Sequence, residues 1–291
     1  MEFIPVIFRA AVTATLAAFM FATMGVAVRF ASAELPNEMV VFLRSFFGLI
    51  FLLPWIYHHK DISLVTIRFY GHLSRSLAGL AAMYCFFYAI ANLQLAEAIL
   101  LNYTAPIFIS VIALVWLKEK LSGKIMIAII TGFVGVCLIL KPGYNNISQA
   151  AWIGLASGML AALAMVSIRN LSTTEPTLRI VFYYSIITTG VSAFPLIWYW
   201  QTPDIKTLFI MVLAGLVASL GQLLLTYSYS LAPAARVGPY TYATVVFAAV
   251  YGWIFWSDKP DALMLAGAVL IIVAGIIALH TRSVPQIIDP E

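Results

Sequence analysis

Long apolar runs alternate with short polar connections along the whole chain. A helix that crosses the hydrocarbon core of a bilayer needs about 20 apolar residues, and each run approaches or exceeds that length. The pattern predicts ten spans, at Phe8–Val28, Met39–Tyr57, Phe69–Ala91, Ala96–Leu117, Lys124–Leu140, Ala151–Ile168, Leu178–Trp200, Ile205–Ser230, Ala234–Trp256 and Ala262–His280. The connections are too short for a folded domain, so we expect the protein to act within the membrane.

Composition supports this fold class. Apolar residues make up 63% of the 291 positions and charged residues 10%, whereas a soluble domain is about half apolar and about a quarter charged. We therefore predict an all-α polytopic membrane protein. The first run continues to Val28 without a cleavage site and is interpreted as a span, not a signal peptide. Cys85 and Cys137 lie inside apolar runs and form neither a disulfide framework nor a metal-ligand pattern, so no cofactor or metal is predicted.

The positive charges predict the orientation of the chain. Ten spans place both termini on one side, and cytoplasmic segments of membrane proteins are enriched in Lys and Arg. With the termini inside, cytoplasmic segments carry Arg9, Lys60, Arg68, Lys118, Lys120, Lys124, Arg169, Arg179 and Arg282, and outer segments carry Arg29, Lys141, Lys206 and Lys259. We expect a multi-pass inner (plasma) membrane protein with both termini cytoplasmic. The net charge of +4 does not indicate nucleic-acid binding, because no Lys/Arg cluster lies on a polar face.

An internal repeat is also visible. Residues 72–120, shifted by 139 positions, align without a gap on residues 211–259. Tyr88 then falls on Tyr227 and Tyr103 on Tyr242. The alignment predicts two five-helix units, residues 8–140 and 149–280. An odd number of spans per unit requires opposite topology, and inverted repeats of this kind are typical of secondary transporters that work by alternating access.

Three stretches resemble the drug/metabolite transporter superfamily, in its ten-helix EamA-like branch. They are Val41-Phe-Leu-Arg44-Ser-Phe-Phe-Gly48, Ala105-Pro106-Ile-Phe through Trp116-Leu-Lys-Glu119, and Gly238-Pro239-Tyr240-Thr-Tyr242 through Phe255-Trp-Ser-Asp258. The third has Asp258 where the family usually has Glu. The resemblance implies export or exchange of amino acids, purines, toxic compounds or other metabolites. The Pro-Tyr-x-Tyr pattern is similar to S-adenosylmethionine uptake carriers, which leaves that substrate, or a nucleoside-like solute, as the alternative.

Polar side chains inside the spans are the candidate substrate-binding residues. A polar or charged group in hydrocarbon is costly unless it faces protein, water or a ligand. The candidates are Arg44, Tyr84, Tyr88, Asn102, Tyr103, Gln222, Tyr227, Tyr240 and Tyr242. We predict that Tyr88, Tyr103, Gln222, Tyr227 and Tyr242 face a central cavity between spans three, four, eight and nine, where Arg44 attracts an anionic group. The alternatives remain a structural arginine, interfacial tyrosines and amides that join helices.

Arg75, Glu97 and Arg236 are candidate gating or coupling residues. Arg75 could instead extend toward lipid headgroups, and Glu97 could be satisfied by the open amides at a helix start. Pro106 and Pro239 interrupt spans four and nine beside the expected cavity. Small residues in spans five and ten predict close packing there, as a support or as a dimer contact. The chain could therefore be a monomer or a homodimer.

Rival functions lack their sequence features. No Gly-x-x-x-x-Gly-Lys-Ser/Thr pattern occurs, so we expect a proton gradient or an exchanged metabolite to drive transport, not ATP hydrolysis by this chain. An intramembrane enzyme would need a His/Asp/Glu constellation at membrane depth, but His58, His59, His72 and His280 lie at predicted cytoplasmic ends, away from Glu97. A channel would need a polar stripe or a carbonyl filter. The expected partners are a small-molecule substrate and membrane lipid.

Overall fold

The computed structural model describes residues 6–58, 64–105, 107–108, 112, 123–140, 148–171, 174–231 and 240–280. This part of the chain forms helices joined by turns. The ten main helices are α1 (Val6–Ala31), α2 (Asn37–His58), α3 (Phe69–Asn92), α4 (Leu95–Asn102), α5 (Gly123–Leu140), α6 (Gln149–Leu171), α7 (Thr177–Ala193), α8 (Ile205–Leu231), α9 (Ala243–Trp256) and α10 (Ala262–His280). The prediction of an all-α polytopic membrane protein is confirmed.

Local sequence determines several helix starts. Pro36 and Pro176 directly precede α2 and α7, where the fixed φ and missing N–H of proline are compatible with a helix beginning. The Asp204 and Asp261 carboxylates accept hydrogen bonds of 2.8 Å from the backbone N–H groups of Thr207 and Met264. These carboxylates satisfy open amides in the first turns of α8 and α10.

Five of the described helices are long and apolar enough to cross a membrane, namely α1, α2, α3, the first 20 residues of α6 and the first 21 residues of α8. Shorter apolar stretches occur at Ile129–Ile139, Leu178–Ala193, Ala243–Trp256 and Ala262–Ala274. Predicted span four is helical to Asn102, and most of its remainder lies outside the described residues.

Predicted span seven is not one continuous helix. The structure ends α7 at Ala193, and a separate short helix follows at Leu196–Tyr199. Pro195 lies between them. Proline has no N–H to donate to the preceding turn, so the uninterrupted helix expected from the apolar pattern is wrong at this point.

The helix contacts are related by a pseudo-two-fold axis. The packing of α1 on α8 is matched by that of α6 on α3, and the packing of α2 on α8 by that of α7 on α3. In the same way, α1 contacts α9 and α6 contacts α4. Three further pairs, α2–α7, α4–α9 and α5–α10, join equivalent helices of the two units directly. This pattern agrees with two inverted five-helix repeats.

Small residues allow the helices to approach closely. On α1, Ala10 and the other buried alanines form a smooth face toward α8, whose Ser228 hydroxyl donates a 2.6 Å hydrogen bond to the Ala10 carbonyl. Between α5 and α10, a methyl group at Gly135 would lie 2.9 Å from the Gly267 carbonyl oxygen. The predicted close packing of spans five and ten is confirmed, because α5 and α10 pack against each other.

Candidate substrate site

A small cavity lies between α2, α7 and α8. It is lined by Arg44, Gly48, Leu52, Val181, Tyr184, Ser185, Ser219, Gln222 and Leu223. The volume of about 20 Å³ is enough for a water molecule but far too small for an organic solute. The cavity formed by the described residues therefore has no room for an organic solute in this conformation.

The cavity lies on the pseudo-two-fold axis. The first residues of α2 and α7, Asn37 and Thr177, are 140 positions apart, and so are Arg44 and Tyr184. The offset of 139 positions that relates the later spans pairs Arg44 with Tyr183, so Arg44 and Tyr184, which line the same cavity, lie within one residue of equivalent positions. Equivalent positions can meet only near the axis that relates them. In inverted repeats this axis lies in the membrane plane, and transporter substrate sites lie near the bilayer midplane at the repeat interface.

Two arginines are buried at this site. Arg44 is 9% exposed and Arg75 is 8% exposed. The Arg75 guanidinium carbon lies 3.6 Å from the centre of the Tyr184 ring, and the two arginines are close enough to repel each other electrostatically. The interpretation of Arg75 as a headgroup-seeking side chain is wrong, because its guanidinium stacks on Tyr184 inside the protein.

The two guanidinium groups are incompletely paired. Arg44 Nε and Arg75 Nε and Nη1 have no hydrogen-bond partner among the described residues. No carboxylate in the described ranges forms an ion pair with either arginine. Leaving a buried charge without a counter-ion is strongly unfavourable. The arrangement is therefore chemically suited to an anion, and guanidinium donors match the geometry of a carboxylate.

Neutral polar groups complete the lining. The Ser219 hydroxyl donates a 3.0 Å hydrogen bond to the Gly48 carbonyl and so connects α8 to α2. Gln222 lies one turn further along α8 and contributes an amide. The structure thus brings together two predicted substrate-binding residues, Arg44 and Gln222, and adds Tyr184, whose role the sequence reasoning missed.

A second pair of equivalent residues lies between α4 and α9. The ring centres of Tyr103 and Tyr242, which are 139 positions apart, are separated by 5.8 Å. The Tyr103 hydroxyl oxygen is 2.8 Å from the Thr244 hydroxyl. Nearby, the Asn102 amide donates a 3.0 Å hydrogen bond to the Ser157 hydroxyl and joins α4 to α6. This bond agrees with the alternative that Asn102 connects helices.

Two candidate tyrosines lie away from both pairs. Tyr227 is 43% exposed near the last turns of α8, where its hydroxyl oxygen accepts a 2.7 Å hydrogen bond from Arg9 Nη2. Tyr227, Arg9, Phe8, Val12 and Thr13 line a separate open pocket of about 180 Å³. Tyr240 is also exposed. Tyr227 was predicted to face a central cavity, but in this structure it lines this separate pocket near the end of α8.

The remaining candidates are dispersed. Tyr84 packs against the main core, and its hydroxyl has no hydrogen-bond partner in the described part of the chain. The backbone carbonyl of Tyr88 accepts a 2.8 Å hydrogen bond from the Asn92 amide. Glu97 is half-buried in the first turn of α4. Arg236, Pro106 and Pro239 lie outside the described residues, so their predicted roles stay predictions.

A polar cluster that the sequence reasoning missed lies where α3 and α7 begin. His72 is fully buried, and its Nε2 is 3.7 Å from Oε2 of Glu175, in the connection between α6 and α7. Glu175 accepts hydrogen bonds of 2.7 Å from the Thr66 hydroxyl and from Arg179 Nη1. The expectation that His72 lies at a helix end is met, but the residue is enclosed by protein.

The opposite end of the molecule has an ion pair between repeats. Arg29 Nη1 lies 2.5 Å from Asp258 Oδ2, and the Arg29 guanidinium also stacks 4.3 Å from the ring centre of Trp256. Ser257 has a left-handed backbone (φ 57°) at the end of α9, just before Asp258. This contact joins the last turn of α1 to the end of α9, at the predicted outer end of the protein.

Comparison with known proteins identifies the family. Residues 8–141 and 148–279 each match the EamA-like transporter family. The pseudopaline exporter of Pseudomonas aeruginosa is 36% identical over 272 residues, covering 92% of this chain and 95% of the relative. The S-adenosylmethionine uptake transporter of Rickettsia bellii is 27% identical over 255 residues, covering 87% of each chain. The riboflavin transporter of Vibrio cholerae is 24% identical over 262 residues, again covering 87% of each.

A solved protein crystal structure has the same fold. Its TM-score is 0.63 at 16% sequence identity, and the match covers 92% of this chain and 96% of that chain. The relatives named above are small-molecule transporters and not enzymes. This chain belongs to the EamA-like transporter family of the drug/metabolite transporter superfamily, and it is a multi-pass membrane transporter of small molecules.

Proposed function

We propose that this protein is a secondary carrier for an amino acid or a related metabolite that bears a carboxylate, and that it moves this solute across the inner membrane by alternating access. The solute binds between α2, α3, α7 and α8, with its carboxylate on Arg44 and Arg75. Gln222 and Ser219 contact its neutral polar groups. The observation that carries the proposal is the pair of buried, incompletely paired guanidinium groups beside a cavity on the pseudo-two-fold axis.

Charge balance explains the choice of an anionic group. The two buried arginines repel each other, and the described residues supply no counter-ion. A substrate carboxylate satisfies the open N–H donors and reduces the repulsion at once. A hydrogen bond to a charged group contributes about 1.5–3 kcal/mol. Loss of one such contact therefore weakens binding by roughly 10- to 150-fold.

Symmetry supports alternating access. The cavity and the Tyr103–Tyr242 contact both lie where equivalent helices of the two repeats meet. The cavity is too small for an organic solute in this conformation, so a solute can bind only if the repeats move relative to each other. Rocking of two related halves about a fixed central site exposes that site to each side in turn.

The positive-inside pattern supports an orientation with both termini in the cytoplasm. The clusters around His72 and around Arg29 then close the cytoplasmic and outer ends respectively. A reporter fused to the C-terminus is expected to be active only when it is of a type that works in the cytoplasm. Activity of an outer-side reporter instead would contradict both the orientation and the count of ten spans.

A second substrate class is favoured by the aromatic pair. Tyr103 and Tyr242 offer two rings with a hydroxyl at the edge, which suits stacking with a flat polar ring. The relatives named as transporters of S-adenosylmethionine and riboflavin support this second class, because both solutes contain flat ring systems. An S-adenosylmethionine or nucleoside-like solute is therefore the alternative, for uptake or exchange.

The test is counterflow in proteoliposomes made with the purified protein. Vesicles loaded with unlabelled amino acids, pseudopaline, S-adenosylmethionine, nucleosides or riboflavin are mixed with the same labelled solute outside. We expect saturable counterflow for a carboxylate-bearing solute and at least tenfold weaker competition by its methyl ester. Arg44→Gln is expected to raise the half-saturation concentration by roughly 10- to 150-fold.

Arg9→Gln is the matched control, because Arg9 is an arginine at the protein edge that contacts Tyr227 and not the cavity. It is expected to leave half-saturation unchanged. Equal competition by the acid and its methyl ester, together with normal half-saturation in Arg44→Gln, would refute the carboxylate site. Transport restricted to solutes without a carboxylate would favour the nucleoside-like alternative, and a flux that does not saturate would indicate a channel.

A further inference from the structure

His72 occupies an unusual environment for a histidine. Its ring is fully buried and stacks on Tyr183, with 4.5 Å between the ring centres and an angle of 26° between the planes. Neither ring nitrogen has a hydrogen-bond partner among the described residues. A neutral imidazole offers one donor and one acceptor, and leaving both unused in the interior is unfavourable. Protonation would therefore strongly change the interactions of the enclosed His72 imidazole.

The Glu175 carboxylate supplies a negative charge that would attract a protonated His72 imidazole. This carboxylate is 6% exposed and lies 3.7 Å from His72 through Oε2. Burial by itself raises the pKa of Glu175, but hydrogen bonds from Thr66 and Arg179 and the charge of Arg179 outweigh burial. The pKa of Glu175 consequently lies below its ordinary value, so the carboxylate remains ionised. Of the two groups, His72 is the one positioned to gain and lose a proton.

Other charges around His72 act in both directions. Burial opposes a proton on the imidazole most strongly, Arg179 and Arg68 also oppose it, and Glu175 favours it. On the helix of His72 itself, Arg75 lies one turn deeper in the protein. The titratable and charged groups that act on His72 or stack on it in the described part of the chain are Arg68, Glu175, Arg179 and Tyr183. With charges of both signs so close, a small movement of Glu175 would change the proton affinity of His72.

The cluster joins the two repeats at the predicted cytoplasmic end. Arg68 Nη1 donates 3.0 Å hydrogen bonds to the Asn170 carbonyl and to the Thr174 hydroxyl. The Tyr183 hydroxyl donates a 3.0 Å hydrogen bond to the Leu64 carbonyl. The first partner of each contact belongs to one repeat and the second to the other. These contacts, like the His72–Glu175 contact, must separate if the repeats move apart at this end.

The same two helices connect this cluster to the substrate site. Arg75 follows His72 by three residues on α3, and Tyr184 directly follows Tyr183 on α7. His72 stacks on Tyr183, and Arg75 stacks on Tyr184. A relative movement of α3 and α7 therefore changes the environment of the imidazole and of the carboxylate-binding arginine together.

We propose that His72, with Glu175 as its counter-ion, binds the proton that is coupled to substrate movement through the Arg44–Arg75 site. The inference rests on the proposed carrier function and names its coupled ion. A proton adds to an imidazole nitrogen and gives a buried cation beside Glu175, and the cost of burying this cation favours separation of the repeats at the cytoplasmic end. Loss of the proton restores a neutral imidazole, and the contacts at this end form more easily.

The test separates coupling from transport. Proteoliposomes are assayed for counterflow without a pH gradient, for accumulation driven by a pH gradient, and for proton movement with an enclosed pH-sensitive dye. For wild type we expect substrate-dependent proton movement. For His72→Gln we expect counterflow within about threefold of wild type, but loss of gradient-driven accumulation and of proton movement. His58→Gln changes an exposed histidine at the end of α2 and is expected to behave as wild type.

Each outcome is decisive. Wild-type counterflow without any substrate-dependent proton movement would overturn the inference and leave the carrier proposal intact. Proton movement that persists in His72→Gln would also overturn it. If His72→Gln does not fold, Glu175→Gln replaces it, with the same expected loss of coupling. Absence of counterflow in wild type with every carboxylate-bearing solute would instead count against the carrier proposal itself.

Discussion

Gly267 provides a direct test of how the two repeats are held together. A methyl group at this position in α10 would lie 2.7 Å from the Gly135 carbonyl oxygen of α5 and 2.7 Å from Ile139 Cγ1. The oxygen belongs to the helix backbone and cannot rotate away, so Gly267→Ala must push α5 and α10 apart. Gly190→Ala is the matched control, because a methyl group there would meet nothing within 4 Å.

Two opposing effects determine how much Gly267→Ala changes the free energy of unfolding. Forcing an extra methyl group into a packed interface costs about 1–3 kcal/mol. Replacing a helical glycine by alanine gains roughly 0.5–1 kcal/mol through lower chain entropy in the unfolded state. The gain applies to both Gly267→Ala and Gly190→Ala, so the difference between these variants isolates the clash. We expect Gly267→Ala to be less stable than Gly190→Ala by about 1–3 kcal/mol.

The assay is the temperature at which half of the detergent-solubilised protein is lost from the monodisperse peak in size-exclusion chromatography. A shift of about 2–4 °C per kcal/mol is typical of large soluble domains. Gly267→Ala is therefore expected to melt roughly 2–12 °C below Gly190→Ala. Equal melting temperatures, or a higher value for Gly267→Ala, would refute the close contact between α5 and α10.

Two further predictions concern the contacts between repeats. Asp258→Asn removes the partner of Arg29 at the outer end, and a partly exposed ion pair is worth up to about 1 kcal/mol. The labelling rate is measured in protein that lacks the native cysteines and carries Tyr242→Cys, with a thiol reagent added from the outer side. We expect Asp258→Asn to raise the labelling rate of this cysteine by up to about fivefold. An unchanged rate would contradict a role of this ion pair in closing the outer end. Tyr103→Phe removes the hydroxyl beside Thr244 and is expected to weaken transport of a flat polar solute by a few-fold. Normal half-saturation in both Tyr103→Phe and Tyr242→Phe would indicate that the aromatic pair only packs.

The fold could be predicted largely because a bilayer leaves few options. Apolar runs of this length must be helices, since backbone groups in hydrocarbon need internal hydrogen bonds. The bounds of α2 and α3 therefore follow the predicted spans to within two residues at each end. The break at Pro195 was not predicted, because the apolar pattern continues across it.

The site was predicted in part. Arg44 and Gln222 stand out as strongly polar residues in apolar runs, and the structure places both at one cavity. Tyr184 was missed because a tyrosine in a span resembles an interfacial residue until the packing of α2 against α7 places it beside Arg44. Glu175 was missed because it lies in a connection, where a carboxylate is usually solvated. Its burial arises only when α3 and α7 pack together.

The relation between Arg44 and substrate charge is the central claim, and one measurement tests it most directly. Counterflow of a carboxylate-bearing metabolite is measured with wild type, Arg44→Gln and Arg44→Lys, with the methyl ester of the metabolite as competitor. We predict that Arg44→Gln raises the half-saturation concentration by roughly 10- to 150-fold and that Arg44→Lys raises it less. We also predict that the ester is a weaker competitor than the acid in wild type and not in Arg44→Gln. Half-saturation that is equal in all three proteins, with acid and ester competing equally, would contradict a carboxylate site at Arg44.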